Sequence, residues 1–318
     1  MTPNPSRPKL EDIRVLEERA AFRDCPELSV VYVRGDDRCS WLNGQITNDV
    51  REIPQGQSVH ALAVNVRGKI LAELIVADLG EALVLLVPKR AQAALLESFE
   101  RYIIMEDVTL EAAPDSSALY VHGADTVSDA APASLVSFAY APLGRPGRVF
   151  IGDHASLAAL TRELEAALPR IDEGAYEIVR LRHAIPRYGV DFDEQNYPQE
   201  VGLKALVSFQ KGCYLGQEVV CTLENRGKLS RHLCVLESPK LLAAGSEPAA
   251  NSLRQQLFTS AEGQGDAAGA ITSAVWDPEQ QKSHVLAYVR RAHAVLGATL
   301  FVGTQALTLA RIVGEDAA

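Results

Sequence analysis

The chain has 318 residues, 47% of them hydrophobic and 23% charged, with a formal net charge of −10. That length accommodates two or three domains, and the acidic balance argues against broad binding to a phosphate backbone, which needs clustered lysine and arginine. No apolar run approaches the ~20 residues of a membrane helix, and residues 1–14 lack the apolar stretch of a signal peptide and read as a short loose tail.

In chain order, residues 29–34 are a β-branched strand closed by Gly35, with Asp36 and Asp37 placed to cap a helix through 38–42. Residues 60–65 and 70–77 read as two strands around the turn at Arg67, Gly68 and Lys69, and 82–87 as a third. Residues 89–102 have helical spacing and 108–111 return to strand. This order is an antiparallel α+β layer rather than a doubly wound sheet. Residues 120–125 echo 32–37, each a strand ending in glycine and followed by aspartate. Duplication and chance are both open; duplication would start a second unit of related topology near 118.

Residues 129–133 are a loop and 142–147 a turn. Helices follow at 155–168, ended by Pro169, and at 175–185, stopped by Pro186. Residues 187–200 are polar and irregular, and a loop of that length in a compact chain tends to carry function. Beyond Arg231, short strands at 232–236, 269–275, 284–289 and 306–312, with turns or loops at 245–248 and 262–269, indicate a small β-barrel or sandwich.

The most distinctive stretch is Lys211-Gly212-Cys213-Tyr214-Leu215-Gly216-Gln217-Glu218. A helix starting near Gly212 puts Cys213 in its first turn, where free N–H groups and the helix dipole favour a thiolate. Lys211 pushes the same way, and Glu218 opposes it weakly or pairs with the lysine. A merely structural thiol is the competing reading. Cys221 is too far along a continuous helix for a disulfide to Cys213, roughly 12 Å by rise, and reads as a small core residue. The five cysteines (Cys25, Cys39, Cys213, Cys221, Cys234) contain no C-x-x-C. They signal no zinc or self-contained iron–sulfur site, and the expected reducing compartment keeps them as free thiols.

Glu73 shares a strand face with Leu71 and Ile75, and either points into a pocket or marks a wet edge. Tyr176 and Glu177 open a helix where they could stack on and hydrogen-bond a flat heterocycle; ordinary helix packing competes for Tyr176. Arg180, Arg182, Arg187, Lys204 and Lys211 are either a local basic pocket or solvated surface charge. Gly263, Gly265 and Gly269 are misspaced for a dinucleotide loop, and neither G-x-S-x-G nor H-E-x-x-H occurs.

Taken together, these stretches resemble the YgfZ family of folate-binding proteins, relatives of the glycine-cleavage aminomethyltransferase. Residues 211–218 match the signature K-G-C-Y-x-G-Q-E, and 42–49 resemble the shared L-x-G-Q-x-T-x-D element. Residues 175–177 through 186–191, with 198–200, resemble the middle element; 269–273 and 286–289 resemble the C-terminal domain. The resemblance runs from Leu28 to Val313 in the right order.

It implies an α+β fold of three domains in a ring, resembling the T-protein, with tetrahydrofolate in the central opening. The domains would be 25–48 with 116–195, then 49–115, a connecting segment 196–230, and a β-barrel at 231–318. The implied function is a cytoplasmic folate-binding accessory protein that supports assembly or repair of iron–sulfur clusters. Its partners would be client or assembly proteins, including cluster-dependent tRNA-modifying enzymes such as methylthiotransferases, with no membrane, no general nucleic-acid binding and no metal of its own. Cys213 is then the functional thiol beside Lys211 and Glu218, and Tyr176, Glu73, Glu177, Arg187 and Gln217 are the folate-site candidates.

Two departures matter. Glu73 stands where the aminomethyltransferases carry an aspartate. Leu28 and Tyr176 stand where some YgfZ proteins hold folate with tryptophan, so stacking rests on Tyr176. The rival reading is a folate-dependent aminomethyl or one-carbon transferase with Glu73 as acid or base. A third is an interaction scaffold without ligand.

Overall fold

A computed structural model describes residues 10–123, 134–242, 255–263 and 265–315; the expected loop at 129–133 and the turn at 245–248 lie outside them. The chain divides into two compact units, Met1–Tyr176 with Leu206–Gln217, and Glu177–Ala205 with Glu218–Ala318.

The first unit opens with α1 (Leu10–Glu18), so residues 10–14 are not part of a loose tail; burial of Ile13, Val15 and Leu16 holds the helix in place. There follow β1 (Ala21–Asp24), β2 (Leu28–Arg34), α2 (Arg38–Gln45), β3 (Val59–Val64), β4 (Ile70–Asp78), β5 (Leu83–Pro88), α3 (Lys89–Glu100) and β6 (Thr109–Ala112). Then come β7 (Ser116–His122), β8 (Val136–Ala139), β9 (Gly147–Asp153), α4 (His154–Glu165) and α5 (Glu173–Arg182), which continues into the second unit.

Strands β3-β4-β5-β2-β6 form one antiparallel sheet and β1-β7-β9-β8 another. Val30, Ile75, Val84 and Leu86 of the first sheet pack against Tyr120, Phe138, Val149 and Ile151 of the second. Leu157, Leu160 and Leu164 of α4 cover the second sheet's other face. The antiparallel α+β layer read from sequence is therefore present. Residues 28–34 belong to the sheet of 59–112, not with 116–195, because β2 pairs with β5 and β6; the strand that joins β7 is β1.

The echo between 32–37 and 120–125 has a shared physical basis. Gly35 and Gly123 both end strands in the left-handed region, at φ +102° and +67°. A Cβ would fall 2.0 Å from the Asp107 carbonyl oxygen at the first and 2.4 Å from that of Arg19 at the second. Only glycine fits either place. The expected aspartate cap is different: Asp37 precedes α2, but its carboxylate accepts from Asp107 N (2.8 Å), and the Asp107 carboxylate accepts from Asp36 N (3.1 Å).

The second unit adds α6 (Pro198–Val201), most of α7 (Gln217–Arg226), and β10 (Arg231–Ser238), β11 (Gln256–Phe258), β12 (Ala267–Asp277), β13 (Lys282–Arg290), β14 (Thr299–Val302) and β15 (Gln305–Ile312). Its strands close into a barrel in the order β10-β13-β12-β11-β14-β15, which decides between barrel and sandwich. Leu236, Leu257, Val285, Val289, Leu300, Leu307 and Leu309 fill the core. The barrel depends on β11 and β14, two short strands that periodicity did not reveal, and β12 starts inside the expected loop 262–269.

Candidate functional site

Residues 206–217 lie against residues 43–49, so two motifs found far apart in sequence form one piece of the first unit. Thr47 is fully buried; its hydroxyl donates to Leu206 O (2.7 Å) and accepts from Leu62 N (2.9 Å), and its carbonyl accepts from Ser208 N (2.9 Å). Lys211 is 5% exposed and its Nζ donates to the carbonyls of Asn43 (2.6 Å), Ile46 (2.7 Å) and Asn48 (2.8 Å). Those three acceptors match the three N–H groups of an ammonium. Burial nevertheless pulls its pKa down to about 8, with Asp49 opposing and Arg51 adding to the shift. Leu215 N donates to Gly44 O (3.0 Å). Gly216, at φ +76°, leaves no room for a side chain: a Cβ would stand 2.3 Å from Asn65 O.

Cys213 sits between these anchors as an exposed free thiol. Two expectations about it are corrected. It precedes the helix, which starts at Gln217, because Gly216 requires a left-handed backbone that an α-helix cannot run through. And the Lys211 ammonium is turned inward onto carbonyls instead of flanking the sulfur. Glu218 is exposed in the first turn of α7, Gln217 is half-buried, and Cys221 is half-buried rather than in the core.

Asn48 carries the contact onward, its Nδ2 donating to His60 O on β3 (3.0 Å). The His60 ring reaches across to β4, where Nε2 lies 2.7 Å from Glu73 Oε1. The register sets Leu62 opposite Glu73 and Ile75 opposite His60, so the pair is a diagonal contact on one sheet face. Strand β4 runs between β3 and β5, but its pairing with β5 begins only at Ile75, so Glu73 is paired on the β3 side, with its side chain 21% exposed.

An aromatic strip continues from there. His60 meets Tyr140 edge-on with ring centres 5.9 Å apart, Tyr140 meets Tyr120 at 5.8 Å, Tyr120 meets His122 at 4.0 Å, and His122 meets Tyr176 at 5.9 Å. Burial, seconded by Arg23 and Arg145, holds the His122 imidazole well below its ordinary pKa, hence neutral. Tyr176 is only 9% exposed, and the Arg23 guanidinium lies 4.1 Å over its ring, closing that face to a ligand. Leu28 packs against the core between the two sheets. Sequence reasoning missed His60 and Arg23. For His60 a signal existed, since pairing the strands about the 67–69 turn brings it diagonal to Glu73; for Arg23 there was none.

In the second unit, Arg180 is 1% exposed and donates Nε and Nη2 to the two Glu177 oxygens (2.8 and 2.6 Å). Its Nη1 donates to Asp191 Oδ2 (2.6 Å) and Ile185 O (2.7 Å). Burial opposes the charge, but Asp191 and Glu177 outweigh it and raise the pKa above the ordinary value. Arg187 Nη1 also donates to Glu177 Oε1 (3.0 Å), so this carboxylate has little acceptor capacity left for a ligand. Arg182 is buried on Asp277 and Glu279, and Lys204 is exposed. Solvated surface charge describes Lys204, whereas Arg180, Arg182 and Lys211 are engaged on internal carboxylates or carbonyls.

Residues 7–128 match the GCVT N-terminal domain. The tRNA-modifying protein YgfZ of Colwellia psychrerythraea is 24% identical over 228 residues, covering 67% of this chain and 70% of that protein. Its counterpart in Yersinia enterocolitica is 28% identical over 225 residues, 64% and 67% of the two chains. An aminomethyltransferase of Thermotoga petrophila is 25% identical over 315 residues, 89% of this chain and 81% of that one. Among solved structures, the glycine cleavage system aminomethyltransferase T from Bartonella henselae superposes with a TM-score of 0.78 at 18% identity, over 95% of this chain and 88% of its own. The fold is therefore that of the aminomethyltransferases. Among the described residues no helix is long and apolar enough to cross a membrane.

Proposed function

We infer that this chain, which carries a GCVT N-terminal domain and resembles YgfZ-named tRNA-modifying proteins over about two thirds of its length, is a tetrahydrofolate-binding accessory factor. It acts in the cytoplasm and supports assembly or repair of iron–sulfur clusters in client proteins, tRNA-modifying enzymes among them. The observation that carries this reading is the signature loop, tied down at Leu206, Ser208, Lys211, Leu215 and Gly216 while Cys213 is left exposed. Among the described residues the thiol has no hydrogen-bonded base, which suits a sulfur whose reaction partner arrives on another molecule.

The residues of the first unit fit a reduced folate in part. His60 and Glu73 offer a part-exposed imidazole and carboxylate beside the Tyr140 ring, a setting for a flat heterocycle bearing amine nitrogens. Tyr176 fits less well, with Arg23 over its ring. Bound tetrahydrofolate would supply one-carbon carrier chemistry. In a calorimetric titration, tetrahydrofolate binds the wild type and Cys213→Ala equally, and Glu73→Gln weakens it by about tenfold, the share of one charge-assisted hydrogen bond. Absence of binding by the wild type would remove folate from the account.

The transferase reading retains one supporting observation, a carboxylate at position 73 held in an ordered pair. It requires turnover of an aminomethyl donor with tetrahydrofolate, abolished by Glu73→Gln.

A further inference from the structure

His60 matched no motif, yet its surroundings are those of a proton-exchanging group. With the Glu73 carboxylate 2.7 Å from Nε2, that nitrogen carries the proton in the neutral ring and Nδ1 keeps its lone pair. Among the described residues Nδ1 has no hydrogen-bond partner, and it is not sealed from water. The position is fixed from two sides, by Asn48 on the backbone carbonyl (3.0 Å) and by the edge-on Tyr140 ring at 5.9 Å. The titratable groups set against the ring are Glu73 from β4 and Tyr140 from the segment after β8. Burial, reinforced by Glu73, keeps the Tyr140 phenol well above its ordinary pKa and therefore uncharged. Glu73 is thus the charge an imidazolium meets.

We propose that His60 delivers a proton to an amine nitrogen of the bound ligand, with Glu73 acting through it as a positioning residue. The proposal rests on the folate reading, because a reduced pterin presents amine nitrogens of this kind. In the step, Nδ1 takes a proton from the solvent as the ligand binds; that Nδ1–H bond then breaks, its electron pair stays on the ring, and the complex is left with one proton more than its free parts. The ligand nitrogen forms the new N–H bond with its lone pair, and the positive charge passes from imidazolium to ligand. Reversal returns the proton. Glu73 stabilises the imidazolium before transfer and fixes which nitrogen faces the ligand.

The test is calorimetric titration with tetrahydrofolate in two buffers of different ionisation enthalpy, repeated at several pH values. The wild type takes up protons on binding, seen as a buffer-dependent heat. His60→Gln still binds, but its heat no longer depends on buffer and its Kd no longer varies with pH. Glu73→Gln reduces the uptake. A merely structural pair would change stability in both variants and leave proton uptake unmoved. Buffer-independent heats in the wild type, or undiminished uptake in His60→Gln, overturn the proposal and leave folate binding standing. No binding by the wild type overturns both.

Discussion

Replacing Asp191 with alanine is expected to destabilise the second unit by about 3–5 kcal/mol, the range seen when one partner of a buried ion pair is removed. Asp191 is fully buried and accepts from Arg180 Nη1 (2.6 Å), Arg187 N (3.0 Å), Thr272 Oγ1 (2.6 Å) and Ser273 Oγ (2.5 Å). Its loss strands a guanidinium that is 1% exposed, and Glu177 alone remains to balance it. It also frees the turn at 187–191 from β12. Asn at this position keeps the shape and one acceptor, so a loss of about half that size is expected. Trp41 and Trp276 lie one in each unit, so urea unfolding followed by Trp276 in a Trp41→Phe background reports the unit concerned. A loss in Asp191→Ala below about 1 kcal/mol would show that Glu177 satisfies Arg180 by itself.

The second large effect is in the first unit. Lys211→Met keeps the side-chain volume but leaves the carbonyls of Asn43, Ile46 and Asn48 without their donor, for an expected loss of about 2–4 kcal/mol. Arginine does not rescue it, because a planar fork cannot point three N–H groups at three converging carbonyls. The pH dependence has a definite sign. The folded pKa of about 8 lies below that of an exposed lysine, so from about pH 8 to ~10 the unfolded chain holds the extra proton. Stability therefore rises with pH across that window, and the methionine variant lacks this rise. Urea midpoints read on Trp41, which precedes the 43–48 segment, supply the measurement.

Much of the fold was legible because its signals were local. The strands on either side of the Arg67–Lys69 turn, helix α3 and four barrel strands each follow from periodicity within a few residues. What stayed hidden has no such signal. Strands β1, β11 and β14 are three or four residues long, and distant partners define them. The site divides in the same way. Its membership was readable, since residues 42–49 and 211–218 each stood out, but their mutual contact was not. A lysine is ordinarily a surface residue; only the carbonyls of 43–48, remote in sequence, turn Lys211 inward. The start of α7 was misplaced because Gly216 looked like part of a helix, whereas Asn65 O demands its left-handed backbone.

The account stands on one thiol, held outward on an anchored loop. Alanine at an exposed position leaves the fold intact, so Cys213→Ala isolates the sulfur. The decisive measurement is methylthiolated tRNA in cells whose only copy of this protein carries Cys213→Ala, alongside the variant's unfolding midpoint. The account predicts wild-type stability with cluster-dependent tRNA modification lost. Full modification by a stably folded Cys213→Ala protein would contradict it.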